Sequence, residues 1–470
     1  MSWRDYVYGH IAAEISRLTK SCDVVVQHEP LPQDDGWLLS LVECPSRTTS
    51  CADASCNAAP AADGSPRCVV LLNGNLNYSH DIQALLASVK CRLGRTGRLI
   101  AVVYNPYLRW IYLLASRLGV RKAEEPTTFV TVNDLRHLAR LSGFELVSIR
   151  NCVYVPWRLF GIGTLANRVL PVVPLLRWLA LTCVATFRPV SGFGTAKDPS
   201  LSIIVPARNE EGNIDDCLRR LPDFPGVPVE VIFVEGNSSD GTWPAIQRAV
   251  ADGAGGRVRV RAYRQTGRGK QDAVRLGIEK ATNELVIILD ADLTVPPEML
   301  ARFYAAYRDG FADFVNGHRL MYPREKGAMR FLNWLGNIFF SKFVSWLADV
   351  SVGDSLCGTK MLRRADYALI EAWRRNVGIV DPFGDFELLF FASTLGLGIV
   401  DVPIRYKARS YGATNIRRFR DGFLLLRYCA RAFGRFKLGA TPVAAHIARK
   451  AGTQSGRDAE WCLESTGDSA

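Results

Sequence analysis

The chain has no run of eighteen uninterrupted apolar residues in its 470 positions, which excludes a plainly legible membrane-spanning helix. The nearest approach, Val169 to Phe187, is broken by Pro171, Pro174 and Arg177 and suits an interface as well as a core. No apolar stretch follows Met1-Ser-Trp-Arg-Asp, so a secretory leader is not expected and a reducing cytosol is the expected compartment for the twelve cysteines. Cys44, Cys51, Cys56 and Cys68 cluster without paired C-x-x-C spacing or a neighbouring His, which gives no reason to expect zinc. Recognition motifs for nucleic acid are missing too, so no nucleic-acid partner is expected. Acidic residues are in deficit: the formal net charge is +12 and the pI about 9.2. That balance predicts attraction to anions such as nucleotides or anionic lipid. Much of the excess is local, with Arg405, Lys407, Arg409, Arg417, Arg418, Arg420, Arg427, Arg431, Arg435 and Lys437 close together.

What is present centres on Leu285-Val-Ile-Ile-Leu-Asp-Ala-Asp-Leu-Thr294. A run apolar at every position fits a strand buried on both faces of a parallel sheet. Its polar end then lies at the carboxyl edge, where open α/β sheets bind ligands. In an extended segment residues two apart point the same way, so Asp290 and Asp292 can address one spot. Two like charges that close call for a cation, and Mg²⁺ or Mn²⁺ held by one or two carboxylates while bridging phosphates fits that need.

Strand, turn and helix alternate along the rest of the chain, which predicts α/β architecture. Residues 1–67 carry a possible helix (Tyr8 to Leu18) and a short strand (Cys22 to Val26), then Ser46 to Pro66 reads as loop. Residues 68–187 alternate strand and helix, 188–200 read as a linker, 201–440 as a second domain and 441–470 as a flexible tail.

Two resemblances follow from quoted motifs. Leu93-Gly-Arg-Thr-Gly-Arg-Leu-Ile-Ala-Val-Val-Tyr-Asn105 and Leu141-Ser-Gly-Phe-Glu145 resemble the C-terminal half of a class I S-adenosylmethionine-dependent methyltransferase. Residues 1–67 contain no G-x-G, so an inactive remnant without bound S-adenosylmethionine is expected, with Gly74-Asn-Leu-Asn77 a loop.

From Leu201 to about Lys437 the chain resembles a family 2 glycosyltransferase of the Rossmann-like GT-A fold, with a mostly parallel sheet, and within it the polyprenyl-phosphate sugar synthases such as dolichol-phosphate mannosyltransferase. The motifs occur in order: Ser202-Ile-Ile-Val-Pro-Ala-Arg-Asn-Glu-Glu211, Phe233-Val-Glu-Gly-Asn-Ser-Ser-Asp-Gly-Thr242, Gly267-Arg-Gly-Lys270 and Ile288-Leu-Asp-Ala-Asp292. The resemblance implies a nucleotide-sugar site at Pro206, Ala207, Asn209, Glu211, Glu235, Asp240, Lys270 and Asp290, with metal on Asp290 and Asp292. A departure stands at Glu235-Gly236, where relatives carry two Asp, one of them contacting the nucleobase. Thr294 replaces a metal-ligating Gln of some relatives. Divalent metal, helped by Lys270 or Arg268, would stabilise the charge growing on the diphosphate leaving group. Asn209, Glu210 and Glu211 read equally as a helix cap and first-turn charges.

Downstream, Asp354-Ser-Leu-Cys-Gly-Thr-Lys-Met361 resembles the acceptor-side loop, and Asp381-Pro-Phe-Gly-Asp-Phe-Glu387 the segment holding the catalytic acidic residue. Asp385 is the candidate base, alongside catalytic Asp292, or else a helix cap. A lipid phosphate is already anionic and needs no base. Arg405 and Arg409 are candidates to grip an acceptor phosphate, and Asn415 stands where relatives often carry Lys. Arg417 to Arg435 reads as a basic amphipathic helix suited to an anionic bilayer. Phe331 to Leu347 could seat a polyprenyl tail or form core.

The expected activity is inverting transfer of a hexose from a nucleotide diphosphate sugar to a membrane-associated acceptor such as polyprenyl phosphate, for cell-envelope glycan, on the inner face of a membrane. The absence of Q-x-x-R-W argues against a processive polysaccharide synthase. Transfer to a glycan or protein hydroxyl, and a non-catalytic scaffold of the same fold, are the alternatives.

Overall fold

The computed structural model describes residues 3–49, 67–119, 124–190, 198–253, 258–323, 331–377, 381, 384–409, 411 and 418–437. Cys51, Cys56, Asn415, Arg417 and the expected tail 441–470 lie outside the described residues, as does most of the expected linker. Two compact units divide the chain near residue 190.

The first unit begins ahead of the boundary expected at residue 68. Helix α1 (Trp3–Thr19) precedes β1 (Val24–Gln27), α2 (Trp37–Leu41) and β2 (Ser46–Thr48). Then come β3 (Cys68–Asn73), α3 (Asn75–Tyr78), α4 (Ile82–Lys90), β4 (Arg98–Tyr104), α5 (Arg109–Arg117), α6 (Val132–Leu141), β5 (Phe144–Cys152), α7 (Ile162–Val169) and β6 (Thr182–Pro189). These strands form one sheet in the order β2-β1-β3-β4-β6-β5. β1 to β4 pair in parallel, while β6 runs antiparallel to both β4 and β5. The sheet is apolar because both faces are covered: Val70, Leu72 and Leu99 pack on one side, Val69, Leu71 and Ile100 on the other. Gly74-Asn-Leu-Asn77 is a helical turn instead of the expected loop. Gly74 takes φ +81°, and the Asn77 amide donates to its carbonyl at 2.7 Å.

The second unit holds β7 (Leu201–Ala207), α8 (Ile214–Arg219), β8 (Val229–Glu235), α9 (Thr242–Asp252), β9 (Arg259–Arg264), α10 (Lys270–Lys280) and β10 (Leu285–Ile288). It continues through α11 (Leu300–Arg308), β11 (Phe314–His318), α12 (Phe331–Ala348), β12 (Lys360–Arg363), most of α13 (Arg364–Val377), α14 (Asp385–Thr394), β13 (Ile399–Pro403) and most of α15 (Arg418–Phe436). The seven-stranded order is β13-β11-β12-β10-β7-β8-β9. β10, β7, β8 and β9 form a parallel block, and the sheet is mixed because β12 runs against both β10 and β11. Ile203, Val205, Val231, Phe233, Leu285 and Ile287 are fully buried, as an all-apolar central strand requires. The parallel strands therefore deliver their carboxyl ends, and the turns that follow, to one edge.

Candidate active site

β10 stops at Ile288, two residues before the first carboxylate. Asp290 and Asp292 consequently sit in a turn and not on the extended segment expected from their spacing. The turn closes through the Leu293 amide on the Asp290 carbonyl at 3.2 Å, and Leu293 takes φ +51°. Asn209 (φ +56°) and Asn237 (φ +57°) adopt the same left-handed conformation in the turns after β7 and β8. Such residues are uncommon outside glycine and gather where function over-determines the backbone.

Each carboxylate meets a cation. Lys270, the first residue of α10, places Nζ 2.5 Å from Asp290 Oδ1, and Arg409 places Nη2 2.6 Å from Asp292 Oδ2. Burial disfavours the charge on Lys270, but Asp290, Asp385 and Asp292 overcome it and hold the ammonium well above its ordinary pKa. The amide and hydroxyl of Thr294 both donate to Asp292 Oδ1, at 3.1 and 2.8 Å. The Lys407 amide donates to the Thr294 carbonyl at 3.0 Å, tying the segment that carries Arg409 to this turn. Arg409, expected to grip an acceptor phosphate, thus faces an expected metal ligand, whereas Arg405 lies exposed. Arg268 is exposed as well.

The loops after β7 and β8 interlock. Asn209 Oδ1 accepts from the Ser239 amide at 2.8 Å, while the Asn209 amide donates to Ser238 Oγ at 3.1 Å. Glu211 Oε2 accepts from the Gly241 amide at 3.1 Å, and the Glu211 amide donates to Asp240 at 3.4 Å. These side chains do not cap α8, whose N-cap is Asn213. Glu235 is buried and turned inward. One oxygen accepts from the Ser238 amide at 2.5 Å and the other lies 3.6 Å from Arg264, which stacks over Trp243. Pro206 and Ala207 end β7, and the Gly236 amide donates to the Ala207 carbonyl at 2.8 Å. Glu210, between these loops and Asp292, is pushed up to about 7. Burial raises it most and the charges of Asp292 and Asp240 add, against Asn213 and Arg409.

Behind the carboxylates lies a buried pair absent from the sequence reading. Lys360, at the start of β12 and fully buried, donates from Nζ to Asp385 Oδ1 at 3.0 Å and to the Cys357 carbonyl. Asp385 is the first residue of α14, yet it does not cap that helix. Asp381 Oδ2 does so, accepting from the Phe386 and Glu387 amides at 2.8 and 3.2 Å. Gln271 donates to Glu387. Gly358 is pressed against the Lys270–Asp290 pair, with no room for a Cβ. Lys360 was visible as a lysine opening an otherwise apolar strand, within the stretch that resembles the acceptor-side loop, but its pairing with Asp385 was not. Nothing in the spacing distinguished Asp381 from Asp385.

The donors at Asp290, Asp292 and Thr294 are all oxygen, the chemistry that suits Mg²⁺ or Mn²⁺. Among the described residues no group of three or more His, Cys, Asp or Glu converges to enclose an ion. That pattern fits a metal completing its shell from diphosphate and water, as Mg²⁺ commonly does. Lys270 and Arg409 neutralise the same carboxylates on flexible side chains, so both can yield to a bound ion.

Residues 202–368 match the sequence profile described as Glycosyl transferase family 2. The chain is 31% identical over 224 residues to a dolichyl-phosphate hexose transferase of Haloferax volcanii, covering 47% of this chain and 89% of that one. It is 29% identical over 231 residues to a dolichol-phosphate mannosyltransferase of Pyrococcus furiosus, where the match spans 46% of this chain and 59% of the relative. Among solved structures it is similar to glucosyl-3-phosphoglycerate synthase of Mycobacterium tuberculosis in complex with UDP, at 18% identity and a TM-score of 0.36, over 52% of this chain and 86% of that one.

Proposed function

The chain belongs to the family 2 glycosyltransferases, and from that premise we propose that it moves a sugar from a nucleotide diphosphate donor to a lipid phosphate of the polyprenyl type. The observation that carries this reading is the pairing of Asp290 and Asp292 with displaceable cations at the carboxyl edge of the sheet. A divalent ion held by these two carboxylates would supply the positive charge that stabilises the departing diphosphate. Lys270, kept cationic by three carboxylates, stays close enough to add to it. The interlocked turns carrying Asn209, Glu211 and Asp240 present a fixed rim for the nucleotide. The inward-turned Glu235 leaves nucleobase contact to other groups of that rim.

Two features support a lipid acceptor. The two sequence relatives are named for dolichyl or dolichol phosphate, and α12 and α15 expose Leu332, Leu335, Phe339, Phe423 and Leu426, with Arg420, Arg427 and Arg431 also exposed on α15. No helix among the described residues is long and apolar enough to cross a membrane. Peripheral binding on the inner face through α12 and α15 therefore belongs to this proposal. An acceptor phosphate needs no base. Lys360 then serves to hold the Asp385 side chain in place, where it positions groups near Lys270. Release of Asp385 from capping, because Asp381 takes that task, is the one feature favouring a hydroxyl acceptor, for which Asp385 would be the base.

The first unit fits a methyltransferase-like remnant. Its sheet is parallel apart from β6, and the turn after β1 reads Gln27-His-Glu-Pro-Leu-Pro with no glycine. At the carboxyl end of β3, a Cβ on Gly74 would meet Leu31 and Tyr104, so the chain's own side chains fill that edge. Binding of S-adenosylmethionine, measured by calorimetry, would overturn the remnant reading.

The test of the donor site is calorimetric titration of UDP and GDP with Mn²⁺, with EDTA, and with Asp292→Asn. Binding that requires both metal and Asp292 is expected. Equal binding by all three preparations would remove the metal from the reading.

A further inference from the structure

Two segments of the first unit invert the usual polarity of a surface. α5 follows β4, and residues 153–181 leave the carboxyl end of β5 and return into β6, so all emerge at one edge of the sheet. Asn105 joins them, donating from Nδ2 to the carbonyls of Trp178 and Ala180 at 2.7 and 2.6 Å. On α5, Trp110 and Leu114 are exposed. In the second segment Phe160, Leu165, Leu175 and Trp178 are exposed, Phe160 completely. Contiguous apolar exposure of this kind marks an interaction site.

The segment is built to hold these residues outward. Leu159, Phe160 and Gly161 are consecutive positive-φ residues, at +44°, +55° and +100°, a costly conformation for the first two. The amides of Gly161 and Gly163 both donate to the Arg158 carbonyl, at 2.8 and 3.0 Å, and Gly163 leaves no space for a Cβ against Trp157. Asn167 is buried and anchors the segment from within: Oδ1 accepts from the Tyr154 and Val155 amides, and Nδ2 donates to the Val155 carbonyl and Tyr6 Oη. Polar groups point in and apolar groups point out.

Charge identifies the occupant. Residues 82–123 and 146–197 contain no Asp or Glu, while Arg109, Arg117, Arg158 and Arg168 lie exposed among the apolar side chains. Exposed aromatic and aliphatic tips and exposed arginines on segments that carry no acid complement an anionic lipid surface: the tips enter the headgroup boundary and the guanidinium groups meet phosphate. A protein partner would place no such demand on the absence of carboxylates over two separate stretches. We infer that this edge of the first unit is a membrane-docking face for an anionic bilayer, additional to α12 and α15 and independent of the transferase reading.

Co-sedimentation of the full chain with vesicles tests it, comparing phosphatidylcholine alone with phosphatidylcholine carrying roughly 30% phosphatidylglycerol. Phe160→Ser, Leu175→Ser and Trp178→Ser together should lower the partition coefficient about tenfold or more. Arg158→Gln with Arg168→Gln should lower it about tenfold on anionic vesicles only. Because all five side chains lie at the surface, circular dichroism and UDP binding should match the parent. A parallel variant, Phe423→Ser with Leu426→Ser, reports on α15 separately, so either face can fail without the other. Parent-like vesicle binding by both first-unit variants overturns the inference. So does a parent that dimerises through this edge in sedimentation velocity, with the triple variant monomeric and its vesicle binding unchanged, which would assign the face to a second copy.

Discussion

Replacing Asp385 by Asn isolates the buried pair with Lys360. The ammonium is wholly removed from solvent and its partner nearly so. Deleting one member of such a pair typically costs about 3–5 kcal/mol, because the remaining charge stays buried without its counter-charge. Asn retains an oxygen for Lys360, and the Cys357 carbonyl still accepts from it, which argues for the lower end, about 3 kcal/mol. Lys360→Met should cost less, about 2 kcal/mol, because Asp385 also feels the positive charge of Lys270. The double variant should be less destabilised than the sum, leaving a coupling energy of about 2 kcal/mol. Urea unfolding followed by tryptophan fluorescence reads all four corners of the cycle. Additive effects would refute the argument that these charges sustain each other. Initial rates on the folded proteins then separate the acceptor classes. With polyprenyl phosphate as acceptor, Asp385→Asn should slow transfer by about tenfold or less, whereas loss of a base for a hydroxyl acceptor would cost roughly 10²–10⁴-fold.

Three further outcomes follow from the same geometry. Asp354 is fully buried and joined to Arg319 by two hydrogen bonds of 2.7 and 2.9 Å, so Asp354→Asn should destabilise by about 3–5 kcal/mol in chemical denaturation. Burial raises the Asp354 carboxyl, but Arg319 outweighs it and holds the group below its ordinary value of 3.8. Its contribution is therefore present above that value and lost as pH falls through the folded one; the variant should show a flatter acid limb in a pH titration of stability. Gly358→Ala, whose Cβ would overlap Lys270 and Asp290, should weaken Mn²⁺-dependent UDP binding with little change in melting temperature.

The alternation of apolar runs with polar turns announced the α/β class, and it placed β7, β8 and β10 correctly because strands buried on both faces cannot hide their composition. Helix α4 was equally legible, since Asp81 caps it by accepting from the Ala84 amide at 2.8 Å. The reversal of β12 was not legible: Lys360-Met-Leu reads the same whichever way the strand runs, and direction is settled by pairing with β10 and β11. β1 was expected as a short strand over Cys22 to Val26 and is found at Val24–Gln27, while its place beside β3 depends on long-range pairing. At the candidate site, the sequence named acidic and basic residues but not the contacts they make with one another. Glu235 turned inward onto the Ser238 amide and toward Arg264, and Arg409 met Asp292 from far along the chain.

The placement of Lys270 and Arg409 against the two aspartates bears on what a chelator does to this protein. Structural metals hold a fold together because the free energy of binding them is part of the free energy of folding. Here the repulsion between Asp290 and Asp292 is already cancelled by two resident side chains, so, on the proposed reading, chelation should stop transfer without unfolding the chain. An ion held by both carboxylates would have to displace Lys270 and Arg409 from them. Arg409, on a segment tied to the same turn, would then have its charge available to an incoming anion.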